Sequence, residues 1–151
     1  MAVHADNWKI AACPVNGPAL SANGRTVAIA WFTAQGDEGH AYAAFSSDAG
    51  RSFGAPIRLD DASALGRVDV VLLPDGSAAA TWIEFADNRA DFRMRRVTTS
   101  GERSVPIAIG AMASSRASGY PRMAAFGREI VFAWTEAGTP SQVKTAVAAL
   151  P

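Results

Sequence analysis

Apolar residues in this chain fall into short runs separated by glycine turns, and the runs recur. Three similar runs end in tryptophan: Thr26–Trp31, Ser77–Trp82 and Glu129–Trp134, with the tryptophans 51 and 52 residues apart. Each follows a turn glycine: Gly24 after Asn23, Gly76 after Asp75, and Gly127. Asn-Gly and Asp-Gly suit tight hairpins because both central positions tolerate positive φ. A second short run precedes each turn, at Pro18–Ala22, Val68–Leu73 and Pro121–Phe126. Each repeat therefore opens with a β-hairpin.

The remainder of the repeat also matches. After Trp31 the sequence predicts a loop at Gln35–Gly39, a strand at His40–Phe45 and a further strand at Ala55–Leu59. After Trp82 it predicts a loop at Ala86–Arg89, a strand at Phe92–Val97, a turn at Ser100-Gly101 and a strand at Val105–Ile109. Pro56 and Pro106 occupy the same place in the two units. Proline cannot donate to a ladder, so that strand should be an outer edge. The runs are rich in alanine, but none carries helical three-and-four spacing over ten residues. Ala111–Ser118 reads as a loop between units.

Four strands recurring about every 40–50 residues describe a propeller blade. The expectation is an all-β fold of three β-propeller blades, each a four-stranded antiparallel meander. The limits are a blade at 17–60, a blade at 66–110 and an incomplete blade at 119–150, whose third strand is Gln142–Ala149. An outer strand at 7–12, around Asn7–Ala11, precedes the first blade. Three blades do not close a ring, since propellers typically use four to eight. Two copies would make six blades, with the N-terminal strand of one chain completing the last blade of the other. The homodimer is thus the expected partner arrangement, and a longer six-bladed chain containing this stretch is the alternative.

Composition narrows the function classes. Hydrophobic residues make up 49% and charged residues 19%, a globular balance. Fourteen basic residues meet fourteen acidic ones, which leaves no electrostatic footprint for nucleic acid or an anionic membrane. Cys13 is the single cysteine and reads as a small buried thiol. Neither an export signal nor an apolar run long enough to cross a bilayer is visible, and the compartment is left open. His4, His40 and Cys13 lack ligand spacing, so no metal or cofactor is expected.

The stretch Ser46-Ser-Asp48-Ala-Gly50-Arg-Ser52-Phe53 resembles the Asp-box of sialidase-like β-propellers, Ser-x-Asp-x-Gly-x-Ser/Thr-aromatic. Thr98–Ser104 is a decayed version that lacks the aspartate and the aromatic. The resemblance implies a structural role for Ser46, Asp48, Gly50, Ser52 and Phe53, on the side away from the ligand site. It also implies, in a full family member, three carboxylate-binding arginines, an aspartic acid and a Tyr-Glu pair. That set cannot be placed here: the family's Arg-Ile-Pro motif is absent, and Tyr42 and Tyr120 are the sole tyrosines. Catalytic residues stay unassigned.

The loops entering the innermost strands should surround one mouth of the channel. They would gather Asn16, Arg67, Asp69, Glu84, Tyr120 and Arg122, with Asp37, Glu38, Asp87 and Glu136 nearby. Arg67 and Arg122 suggest a carboxylate or phosphate held by bidentate hydrogen bonds. The alternative is that they pair with Asp69 and Glu84 and fill a polar channel. Trp31, Trp82 and Trp134 share one repeat position and read as blade core, while Trp8 is either exposed or buried at an exchange seam. Two functions follow. One is a binding or assembly module for a small anion, glycan or protein, and the other is a sialidase-type glycoside hydrolase.

Overall fold

The computed structural model describes residues 2–10 and 15–150. Cys13 and the end of the expected 7–12 strand lie outside them. Among the described residues, eleven strands form three antiparallel sheets. In the first, β1 (Ala19–Asn23), β2 (Thr26–Thr33), β3 (His40–Ser46) and β4 (Ile57–Arg58) lie in chain order. The second orders β5 (Ser63–Leu72), β6 (Ala78–Ala86), β7 (Arg89–Val97) and β8 (Ile107–Met112) in the same way. The third contains β9 (Arg122–Phe126), β10 (Glu129–Glu136) and β11 (Gln142–Ala149), with β10 central. These are meanders joined by glycine-bearing turns. Gly24, Gly76 and Gly127 all take positive φ, which a side chain would resist.

Pro56 and Pro106 immediately precede β4 and β8, the outer edges of their sheets, where a missing N–H removes no ladder bond. Arg116–Ser118 forms a single 3-10 turn within the link from β8 to β9. Asn7–Ile10 form no strand within this chain. Instead, residues near them lie against the first sheet. Asp6 Oδ2 accepts from Trp31 Nε1 at 3.0 Å, and the Trp8 ring meets Phe32 edge-on at 5.5 Å.

Alternation along the central strands decides how the sheets stack. In β2, Ala28 and Ala30 face the second sheet, where they join Val68, Val70, Ala78, Ala80 and Trp82 in one core. In β6, Ala79 and Ile83 face the third sheet and join Ile130, Phe132 and Met123. Strand period two makes this double use possible: one residue set serves the preceding blade and the other the following blade. Trp31 lies on one face of the first sheet, and Trp82 and Trp134 hold the equivalent face of theirs, on the side of the preceding blade. Trp82 is fully buried there. Trp134 presses so closely on Gly110 that a Cβ added at Gly110 would lie 2.8 Å from its ring.

Candidate functional site

The inner strands β1, β5 and β9 begin or approach one end of the blades, and the candidate mouth is built there. A bulge shapes the start of β5. Its pairing with β6 shifts between Ala64 and Gly66 and again between Gly66 and Asp69. Gly66 and Arg67 both take left-handed φ, 83° and 55°. Asn16 sits over this bulge, accepting from the Arg67 backbone N–H at 3.2 Å and donating to the Leu65 carbonyl at 3.3 Å. A Cβ on Gly66 would come within 2.5 Å of the Asn16 side chain, so glycine is required twice over, by φ and by space.

The bulge turns the Arg67 side chain inward, where it is 8% exposed. Its Nη2 donates to the Ser115 carbonyl at 2.6 Å, and its Nη1 is buried with no partner among the described residues. No described carboxylate forms a salt bridge with it. Burial lowers the Arg67 pKa from its usual value; the Tyr120 hydroxyl opposes that shift, and the nearby Arg116 guanidinium adds to it. Arg93 and Arg95 also carry a buried Nε without a partner, but both pair with acids elsewhere, Arg93 with Glu84 and Asp91, Arg95 with Asp61. Arg67 is the uncompensated buried cation among the described residues.

Asp69 ties the second blade to the third. Its Oδ2 accepts from the Met123 N–H at 3.0 Å and from Arg122 Nε at 3.1 Å, while Oδ1 accepts from the Val70 N–H. The Arg122 side chain is otherwise largely exposed. Tyr120 donates its hydroxyl to the Val15 carbonyl. The structure thus brings Asn16, Arg67, Asp69, Tyr120 and Arg122 to one end of the blades.

Glu84 has a different task. It is 2% exposed, and its Oε2 accepts from the Asp61 N–H at 2.8 Å, the Ala62 N–H at 3.3 Å and Trp82 Nε1 at 3.1 Å. Its Oε1 pairs with Arg93 at 3.0 Å. Glu84 braces the link between the first two blades and has little capacity left for a ligand. The expected pairing of the arginines with Asp69 and Glu84 therefore occurs for Arg122 alone. Ser115 and Arg116 complete the Arg67 environment, and the sequence reading passed over them because they sit in a link with no repeat signature.

At the other end of the blades the Ser46–Phe53 turn closes on itself. Asp48 Oδ1 accepts from Ser46 Oγ at 2.7 Å and the Ser52 N–H at 2.8 Å, and Oδ2 accepts from Ser52 Oγ at 2.6 Å. The hydrogen bonds from Ser52 and Ser46 hold the Asp48 pKa far below the usual carboxylate range. In the second blade Thr98 replaces Ser46: its Oγ1 accepts from the Glu102 N–H, as Ser46 Oγ accepts from the Gly50 N–H. A groove of about 910 Å³ lies between these two turns. Arg96 on its wall is neutralised by Asp75 and bonds Ser77 Oγ.

No protein-family model matches the chain, and no curated protein matches it in sequence. Solved structures do match it in shape. One is the xylan β-1,4-xylosidase of Bacillus halodurans C-125, with a TM-score of 0.58 at 15% identity over 87% of this chain. Another is an α-L-arabinanase of Penicillium chrysogenum, solved with arabinobiose, with a TM-score of 0.64 at 12% identity over 88% of this chain. With the meander sheets, this settles the architecture. The chain folds as β-propeller blades. It spans 27% of the xylosidase chain and 45% of the arabinanase chain.

Proposed function

We propose that this chain supplies the mouth of a carbohydrate-acting propeller of glycoside-hydrolase type, and that its mouth holds a sugar bearing a carboxylate. The observation that carries the reading is Arg67. A buried guanidinium whose Nη1 has no partner, and which has no acid beside it, among the described residues is poorly solvated, and an arriving carboxylate relieves it through charge-assisted hydrogen bonds. Tyr120 and the exposed part of Arg122 lie at the same end to orient the rest of the ligand. Support for a carbohydrate comes from the fold: two of the similar structures are a xylosidase and an arabinanase.

A binding role without turnover is the second reading. Asp69, the carboxylate of the cluster, is already engaged by Arg122 and the Met123 N–H. Glycoside hydrolysis calls for two carboxylates, one as acid and one as base or nucleophile. Under the hydrolase reading, Asp69 provides at most one of them.

Calorimetry and reducing-sugar assays with neutral xylo- and arabino-oligosaccharides, glucuronate-bearing xylo-oligosaccharides and sialyllactose test both readings. Acidic sugars should bind and neutral ones should bind at least tenfold more weakly. Turnover that disappears in Asp69→Asn identifies a hydrolase, and binding without turnover identifies a module. Equal binding of neutral and acidic sugars would remove Arg67 from the account.

A further inference from the structure

The groove between the Ser46–Phe53 turn and its counterpart at Thr98–Ser104 lies at the end of the blades away from Arg67. Its volume, about 910 Å³, falls in the range of small-molecule sites, about 300–1,000 Å³. Both walls belong to the first two blades. The first blade contributes Phe53, Pro56, Ile57 and Arg58, and the second contributes Arg96 and Arg103. Three guanidiniums thus line one groove, and Asp75 is the one acid among its lining residues.

Each arginine is braced from within the protein. Arg58 donates from Nε at 2.8 Å to the buried Asp60 and pairs with it through Nη2 at 2.7 Å. Arg96 donates from Nε to Ser77 Oγ at 2.8 Å and pairs with Asp75. Arg103 donates from Nη1 to the Arg58 carbonyl at 3.0 Å, which joins the two blades across the groove. A guanidinium carries five N–H donors, so these bonds fix each head and leave donors over.

The charges do not cancel. Asp60 answers Arg58, and Asp75 answers Arg96. Asp61 bonds the buried Arg95, while Arg103 stands 4.0 Å from its other oxygen. Four arginines therefore meet three aspartates, and Arg103 carries the excess. The Arg58, Arg96 and Arg103 side chains are 42%, 37% and 40% exposed, so a ligand can reach all three.

We propose that this groove binds the phosphate of a small phosphate monoester. A phosphate group presents three acceptor oxygens and nearly two charges, which suits several arginines at once better than a single carboxylate does. The exposed hydroxyls of Ser47 and Thr99 line the same groove and add donors for it. Phe53, Pro56 and Ile57 give the organic part of the molecule an apolar wall. An acidic peptide fits less well. It would pair with the backbone leading into the edge strand β4, and Pro56 lacks the N–H that such pairing uses. The site is separate from the mouth, and the inference does not depend on the sugar proposed above.

Calorimetric titration of phenyl phosphate into the full chain at constant ionic strength is the test. Phenyl phosphate should bind, and more tightly than inorganic phosphate because of the apolar wall. Arg103→Gln and Arg96→Gln should each keep the wild-type circular dichroism spectrum, since both side chains reach solvent. Each should weaken binding by about tenfold, as expected for the loss of one hydrogen bond to a charged group. A glucuronate-bearing xylo-oligosaccharide should leave phenyl phosphate in place. Absence of binding, or equal affinity in wild type and both folded variants, would overturn the proposal. Displacement by the acidic sugar would overturn it by placing the phosphate at the mouth. Displacement by an equimolar hexaglutamate peptide would overturn it in favour of a peptide, and equal binding of inorganic phosphate would overturn the part played by Phe53 and Ile57.

Discussion

The two ends of these blades handle polar groups in opposite ways. At the Ser46–Phe53 end, the Asp48 carboxylate is met by two hydroxyls and a backbone N–H. At the candidate mouth, Arg67 is buried with one nitrogen unmatched and no acid beside it among the described residues. A turn that satisfies itself has a folding role and nothing more to offer. An unsatisfied buried cation weakens the fold, and a ligand that completes it turns that weakness into affinity. The contrast separates Asp48 from Arg67 more sharply than the charges of the two residues do.

Glu84 shares the mouth end with Arg67 but follows the logic of the other end, so changing it tests the comparison most severely. Glu84→Gln removes the charge opposite Arg93 and disturbs acceptors for the Asp61 and Ala62 N–H groups and Trp82 Nε1. Breaking a buried pair of this kind should cost about 3–5 kcal/mol in urea unfolding. A loss below about 1 kcal/mol would mean that Glu84 is free for a ligand after all.

Arg67→Met should do the reverse. Removing an uncompensated buried charge should leave the melting temperature unchanged or raised. Binding of an acidic sugar should weaken by roughly tenfold to a hundredfold, the equivalent of about 1.5–3 kcal/mol for a charged hydrogen bond. A destabilised variant would show that the Ser115 contact, and no ligand, explains the arginine.

Gly66→Ala should cost about 1–3 kcal/mol, because it forces a side chain into a left-handed position against Asn16. It should weaken sugar binding as well, since Asn16 holds the Arg67 backbone.

The smallest effect belongs to the satisfied end. The folded Asp48 pKa lies below its unfolded value of about 3.8, so its contribution is complete above that pH and fades as the pH falls towards the folded value. The melting temperature should decline on acidification below about pH 4, and Asp48→Asn should flatten that part of the profile without altering sugar binding at neutral pH. A change in sugar binding would break the separation between the two ends.

Much of the architecture was legible because it repeats. The Asn23-Gly24 and Asp75-Gly76 turns, the edge prolines 56 and 106 and the three tryptophans each recur at one place in the unit. Repetition also pointed to the candidate mouth, since the loops entering β5 and β9 hold equivalent places in the repeat. Hydrogen-bond assignment was not legible. Nothing in the composition distinguishes Glu84, which meets Trp82 two residues along its own strand and the inter-blade link at Asp61 and Ala62, from Asp69, which reaches the next blade. Ser115 and Arg116 escaped notice because their link has no counterpart in the repeat. The Trp31–Asp6 bond lies in the one segment that precedes the repeats altogether.

The central claim is that Arg67 is the anion receptor of the mouth, and calorimetric titration of a glucuronate-bearing xylo-oligosaccharide into wild type and Arg67→Met tests it most directly. The account predicts binding to the wild type that weakens at least tenfold in the variant while stability holds. Equal affinity in both proteins would contradict it.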